Sequence, residues 1–486
     1  MIRRQSAEEQ LFYTHDEIAK PASGNFYMRL SEVVGDWQEL ARPFREAFSV
    51  TTGRPTDPAV YLKICLIGYL ENIIYDTDLA ERISDSIAIR RFLGYTLADS
   101  TPDHSSISRN RSLIGEHCRV EDVLSAVVEL CRKKGLVDGE VSAVDSSLVP
   151  ANASLSSLRS VKTGKKVAEH LREVEEKNKD ATGEEGSKRK PTVSNEEFRS
   201  GTDPDARIAK KPGQKRDMYY KATHVTDAKN GVIVAAGVSR ADEGEVDAGE
   251  PVVLEAKENL ERCGVALGSI TADAGYGSAD FHAYIEGLGA VPVTNWRSDS
   301  TKKADGFKKE SFLYSEKADC YICPAGCILR YGSFCRSTGL MLYHSDPKDC
   351  AKCEHRKKCI EGKRNVRTVS RHPKEASRER NIARCHTEEG RRILRRRKEI
   401  AEAPFGHMKT YGGLGRISCR GTAKANVKVV MAAVAYDLIK LVRSGMQKAG
   451  CELAVCERAL RVLRAAWAAF CALTGDPQPK PCCSLT

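Results

Sequence analysis

Three carboxylates in this chain are candidates to do chemistry together: Asp145 in AVDSSL, Asp273 in TADAGYG and Glu402 in KEIAEAPFGHMK. Long stretches of sequence separate them, so they meet only if the fold gathers them. Acidic side chains brought together in this way hold divalent metal ions. Two such ions would activate a water or a 3′-hydroxyl and stabilise the leaving oxygen of an in-line phosphoryl transfer. Taken singly, each carboxylate is a weak signal. An Asp that ends a strand is commonly a cap or turn residue, and Glu399, one helical turn before Glu402, is an equally natural surface acid.

The surrounding segments read as elements able to position a site. VSAVDSSLV reads as a strand ending at Asp145, and GSITADAGYG as a short strand finishing at Asp273. In an open α/β sheet, ligands bind in crevices outside the strand ends. Gly275 and Gly277 flank Tyr276 and let the backbone turn sharply after Asp273. Further on, steps of three, four and seven put Arg395, Lys398, Glu402 and Lys409 near one helical stripe, where cations beside Glu402 could hold a phosphate backbone. Pro404 should kink or restart this helix, because it cannot donate to the carbonyl of Ile400.

The rest of the chain frames these segments. Residues 1–135 read as short helices joined by tight turns, with helix starts signalled at TGRPTDP (52–58) and TPDHSS (101–106). Arg90, Arg91, Arg109 and Arg111, expected on its surface, suggest a small DNA-binding bundle. From residue 141 the pattern becomes strand, hairpin with Asn230-Gly231 at its turn, helix, strand, helix, strand, which indicates an α/β domain with a mixed sheet. A charged stretch at 155–215 reads as a helix followed by a linker. Two helices, at 423–444 and about 451–474, follow the one that carries Glu402.

Composition narrows the class. At 486 residues the chain can divide into two to four domains, and 41% hydrophobic residues fit a globular protein. The net charge of +11 is concentrated in runs such as HRKKCIEGKRNVR (355–367) and GRRILRRRKE (390–399), which suit a track for nucleic-acid phosphates as well as solvated helix faces. MIRRQSAEEQ is followed by no apolar segment, and VVMAAVAYDLIKLV is short and contains Asp437 and Lys440. Both features point to a cytoplasmic protein without a membrane span. Of 18 cysteines, Cys65 and Cys131 read as buried small apolar residues. Cys320, Cys323, Cys327, Cys335, Cys350, Cys353 and Cys359 crowd into 320–359, where CYIC, CAKC and a further Cys suit tetrahedral zinc, with Cys323, Cys350, Cys353 and Cys359 as the ligand set. Reduced thiols without metal and redox switching are the alternatives.

The chain resembles the DDE transposases of bacterial insertion sequences. The likeness runs through GRPTDPAVYLKICLIGYLENI, RRFLGY…PDHSSISRNR, VDSSLVPANAS, TDPDAR (202–207), TADAGYGS and EIAEAPFGHMK, in the family's order. The family's Tyr, Arg, Glu, Lys pattern falls on positions 395, 398, 402 and 409, with Arg395 and Lys398 in place of the first two. That alignment favours Glu402 over Glu399. The resemblance implies an α/β, RNase H-like catalytic domain with a mixed sheet and flanking helices. An all-α DNA-binding domain (1–135) would precede it. The core would run over 136–298 and a Cys-rich insertion over 299–375. The Glu helix and core completion would occupy 376–445, and a C-terminal helix and tail 446–486. It further implies Asp145, Asp273 and Glu402 on two Mg²⁺ or Mn²⁺ ions, phosphate contacts from Lys409, Lys398 and Arg395, and a possible zinc in the insertion. The partners would be the element's terminal inverted repeats and target DNA, bound by a homodimer or higher assembly. The activity implied is end cleavage followed by strand transfer. A nuclease without transfer and a silent DNA-binding derivative are the alternatives.

Overall fold

The computed structural model describes residues 25–49, 56–182, 193–210, 215–296, 306–360 and 364–448. The segment before residue 25, part of the charged run after 182 and the expected last helix at 451–474 lie outside the described residues.

The described chain opens with α1 (Phe26–Val34), α2 (Trp37–Leu40), α3 (Arg45–Ser49), α4 (Pro58–Leu70), α5 (Asp76–Asp85), α6 (Ile87–Leu93), α7 (His104–His117) and α8 (Glu121–Lys133). The helix starts signalled in the sequence are realised. Asp57 accepts from Ala59 N at 2.8 Å with Pro58 at the first helical position, and Asp103 accepts from Ser106 N at 2.6 Å. α6 ends at Gly94, whose φ of 85° supplies the left-handed cap.

Two of the four arginines expected at this bundle's surface are buried instead. Arg111 forms a bidentate pair with Asp76, both contacts at 2.6 Å. Arg90 donates to the carbonyls of Ser84, Thr96, Leu97 and Asp99. The planar guanidinium satisfies several acceptors at once, so both residues brace turns. Arg91 is half-buried, and Arg109 alone of the four is exposed.

The sheet region contains β1 (Val141–Pro150), β2 (Leu158–Ser160), α9 (Val167–Thr182), β3 (Phe198–Ser200), β4 (Arg207–Ala209), β5 (Asp217–Asp227), β6 (Ile233–Arg240), α10 (Glu245–Arg262), β7 (Ser269–Thr271), α11 (Ala279–Gly287) and β8 (Val291–Pro292). The main sheet runs β4-β5-β1-β7-β8, with β6 also paired to β5. β1, β5 and β6 are antiparallel, while β1, β7 and β8 are parallel. The expected hairpin joins β5 to β6, and Gly231 takes φ 68° in its turn. β1 does not end at Asp145. It continues to Pro150 because β5 pairs with it from Ser142 to Pro150, whereas β7 accompanies it only from Val141 to Ala143.

A second, all-antiparallel sheet follows, with β9 (Leu313–Ser315), β10 (Cys320–Ile322), β11 (Ile328–Cys335) and β12 (Leu340–Ser345). After α12 (Pro347–Ala351) and α13 (Arg356–Cys359), β13 (Thr368–Arg371) completes it. Phe312, Tyr321, Leu329, Tyr343 and Val369 form its own small core. Arg371 stacks on Tyr314 at 3.6 Å and reaches Glu379 at 2.6 Å, which ties this sheet to the next helix. α14 (Glu375–Cys385), α15 (Glu388–Tyr411) and α16 (Thr422–Lys448) close the described chain.

α15 runs unbroken through Pro404, so the helix does not restart there. Ile400, Ala401, Pro404, Phe405 and Met408 are all buried, and that packing offsets the roughly 3 kcal/mol that an interior proline costs a helix. α16 is the central strut. Val430, Met431, Ala433 and Val434 have no exposed surface, and one apolar core runs from Leu30 in α1 through Val225 in β5 to Val442 in α16. The TDPDAR segment seats the start of α16. Asp205 accepts from Thr422 N at 2.9 Å and Asp203 from Gly421 N at 3.2 Å, while Tyr220 donates to Asp203 at 2.8 Å. Among the described residues no helix is long and apolar enough to cross a membrane.

Candidate active site

The geometry begins with register. Ala143 and Thr271 are the last paired residues of β1 and β7, and Asp145 and Asp273 each follow two positions later. The two aspartates therefore stand at matching offsets where the parallel strands part. Asp145 occupies the middle of a strand rather than the end that the sequence suggested. Asp273 caps the short turn 274–276, its Oδ1 accepting from Gly275 N at 2.8 Å.

The third acid arrives on α15, which lies on β1 through Ile400 and Ala401 against Ala143. Burial pushes the Asp145 carboxyl up to about 6, and the nearby charges of Asp273 and Glu402 push in the same direction. Ser146 N and the Arg397 guanidinium oppose them. The three carboxylates thus share one electrostatic environment. Glu399 is exposed and does not figure in it.

Several residues that sequence reasoning did not single out complete the surroundings. Arg397 is buried, with its guanidinium 4.0 Å from Glu402 Oε1. The available signal was an arginine on the apolar stripe of Ile393, Ile400, Ala401 and Pro404. The Tyr276 hydroxyl lies 2.7 Å from Ser146 Oγ, which lies 2.7 Å from Thr223 Oγ1. This chain of hydroxyls crosses from β5 through β1 to the Asp273 loop. Opposite Asp145 on β5, the buried His224 ring packs on Phe405 of α15 at 4.1 Å.

Gly275 and Gly277 serve a different purpose from the one their flexibility suggested. Neither has a positive φ. A Cβ on Gly277 would lie 2.6 Å from Asn295 O, so that position is glycine for lack of space, whereas one on Gly275 would meet the movable carboxylate ends of Glu245 and Asp273. The cationic stripe also divides. Arg395 and Lys398 are exposed, as a phosphate contact requires. Lys409 instead donates to Ser147 Oγ and Leu148 O on β1.

Fit to metals can be judged from the donors. Among the described residues no group of three or more His, Cys, Asp or Glu closes on a metal-sized point. The acid site nonetheless has the donor chemistry of a divalent-ion site, because like charges crowd Asp145 and a cation would relieve them. The expected zinc centre is not assembled either. Cys350 Sγ lies 3.0 Å from Ser345 Oγ, and Cys323 Sγ accepts from Cys327 N at 3.3 Å. The small sheet has its own apolar core. The charges of Cys350, Cys323 and Cys353 do reach Cys359, so the four expected thiols are neighbours.

Residues 16–113 match the family Transposase domain (DUF772), and residues 322–442 match the family Transposase DDE domain. Both matches support an insertion-sequence DDE transposase. The second match contains Glu402 and the cysteine run from Cys323 onward, and Asp145 and Asp273 fall between the two matches. No curated protein matches this transposase. Among solved structures it is similar to the piggyBac transposase in a cryo-EM synaptic complex with hairpin DNA. The identity is 11% over 88% of this chain and 77% of that one, with a TM-score of 0.33, too loose a likeness to carry an argument. Family membership implies DNA cleavage and transfer chemistry in general terms.

Proposed function

We propose that this transposase cleaves DNA at the ends of its insertion sequence and transfers the freed 3′-hydroxyl into target DNA, with Asp145, Asp273 and Glu402 as the metal-holding acids. The observation that carries the reading is the pair of matching offsets of Asp145 and Asp273 beyond the last rung of β1 and β7, with the Glu402 helix laid across β1. The mixed sheet, with parallel β7 and β8 on one side of β1 and the antiparallel set β5, β4 and β6 on the other, supports an RNase H-like reading of the core.

Two Mg²⁺ or Mn²⁺ ions bound there would supply Lewis-acid activation of the attacking oxygen and stabilisation of the leaving one. The chain's own contribution is placement. β1 and β7 fix the aspartates, α15 brings Glu402, and Arg397 holds positive charge beside the acids. Arg395 and Lys398 are the phosphate contacts we assign, and Lys409 positions α15. Pairing two DNA ends calls for a homodimer or higher assembly on DNA, acting in the cytoplasm. The nearness of Cys323, Cys350 and Cys353 to Cys359 supports a secondary reading as a structural zinc site, tested by metal analysis of protein purified without chelator.

The deciding experiment supplies Mg²⁺ and DNA carrying the element's terminal repeats. Cleavage with joining is the expected result. Cleavage alone would make the protein a nuclease, and binding alone a silent derivative.

A further inference from the structure

A second charged surface lies apart from the three acids. β2 and β3 pair with Arg159 directly opposite Arg199, and an isolated bridge sets Lys166 against the other edge of Arg159. Directly paired residues of neighbouring strands point to the same face, so the three cations form one row about 10 Å across, at about 4.8 Å per strand. Burial alternates to match. Leu158, Ser160, Phe198 and Ser200 are buried, whereas Arg159 and Lys166 are exposed and Arg199 is half-buried. The Arg159 side chain lies over Gly201, its Nε 3.0 Å from the point where a Cβ on that glycine would stand.

Like charges directly opposite one another weaken a sheet. Among the described residues none of the three forms an ion pair, while their neighbour Lys165 is taken up by Glu173. The positive field continues onto β4. Burial lowers the Arg207 pKa, and the charges of Arg199 and Arg240 lower it further, with Asp242 and Asp205 opposing. Arg207 shares a rung with Tyr219, which also faces Pro150 at the end of β1. The five steps from Asp145 to Pro150 and the two strand spacings from Pro150 to Arg207 put Arg207 roughly 20 Å from Asp145. One turn of duplex DNA is longer, at about 34–36 Å.

A simpler account is that lysine and arginine blunt the edge of a small sheet. That role needs cations along one strand, not three aligned across neighbouring strands where they repel. A duplex carries a negative charge about every 1.7 Å of its axis, and its phosphates would relieve the repulsion in a single contact.

We propose that Lys166, Arg159 and Arg199 grip the phosphate backbone of the same element-end duplex whose terminus lies at Asp145 and Asp273, less than one turn from the cut. The contact is to phosphates and reads no base sequence. The inference rests on the reading of this site as one that cleaves DNA at the element's ends.

Affinity of the full chain for a duplex carrying the element's terminal repeat, measured over a salt series, tests it. Replacing both exposed cations, Arg159→Gln with Lys166→Gln, should reduce the slope of log affinity against log salt by about 1.8, since each phosphate contact contributes about 0.9. Arg159→Lys with Lys166→Arg keeps both charges and should keep the slope. If the Gln variant keeps the slope while the unsubstituted chain binds and cuts the duplex, the row is a solvated sheet edge and only the cleavage reading stands. A chain that neither binds nor cuts the duplex removes both proposals. If end binding is unchanged and only joining to target DNA weakens, the row holds target DNA and the assignment is overturned. Acetylation needs no substitution. Bound end DNA should shield Lys166 of the unsubstituted chain from acetic anhydride, read by mass spectrometry, and equal modification with and without DNA overturns the assignment.

Discussion

Lys409 Nζ donates to Ser147 Oγ and to Leu148 O, each at 2.7 Å, and so fastens α15 to the strand that carries Asp145. Glu402 lies seven residues earlier on the same helix, so this ammonium and the Ile400–Ala401 contact with Ala143 together hold the Glu402 helix on β1. The stripe reading of the sequence expected Lys409 at DNA phosphates; in the structure its ammonium is turned to β1.

Lys409→Ala should therefore lower stability by about 1–3 kcal/mol, the cost of removing a charged donor from half-buried acceptors, measured by denaturant unfolding. Arg395→Ala and Lys398→Ala, both exposed, should leave unfolding within about 0.5 kcal/mol of the unsubstituted protein. If they contact phosphates, each should reduce the slope of log affinity for DNA against log salt by about 0.9.

Asp145→Ala, Asp273→Ala and Glu402→Ala should each abolish Mg²⁺-dependent cleavage of end DNA while end binding persists in a gel-shift assay. Glu399→Ala should cleave normally. The reverse result for Glu399 and Glu402 would move the third ligand by one helical turn.

Arg111→Ala strands Asp76 in a largely buried site, with an expected loss of about 3–5 kcal/mol. Arg109→Ala touches an exposed side chain and should change stability little. Calorimetric unfolding of both variants separates a bracing arginine from a surface one.

Burial, with help from nearby cations, lowers His282 and His407 to about 4. Above pH 6.5 both rings are neutral whether the chain is folded or unfolded. Below it the unfolded rings take up protons that the folded ones refuse. Stability should therefore fall between pH 6.5 and about 4, at up to about 1.4 kcal/mol per pH unit for each ring. Asp437, raised by burial, acts in the opposite sense, so the measurement is a difference. The pair His282→Gln and His407→Gln should flatten the decline relative to the unsubstituted protein.

The sequence carried the element order of the main sheet, the caps at Asp57 and Asp103, and the two aspartate segments, because each depends on local pattern. It misplaced what depends on pairing partners. Nothing near Asp145 reveals that β5 extends β1 to Pro150 while β7 leaves it at Ala143. Arg90 and Arg111 looked like surface cations because their acceptors, in the 96–99 turn and at Asp76, become neighbours only in the folded chain. Gly277 looked like a hinge because Asn295, whose carbonyl it makes room for, lies beyond the following helix and strand.

The small antiparallel sheet is inserted between β8 and α14, ahead of the helix that carries Glu402. On the ribosome, both aspartates and their strands emerge long before α15 does. A chain interrupted after the small sheet would carry Asp145 and Asp273 without the third acid. On the proposed reading of the three acids, an unfinished chain would lack the last of them and with it the complete set that DNA cleavage needs.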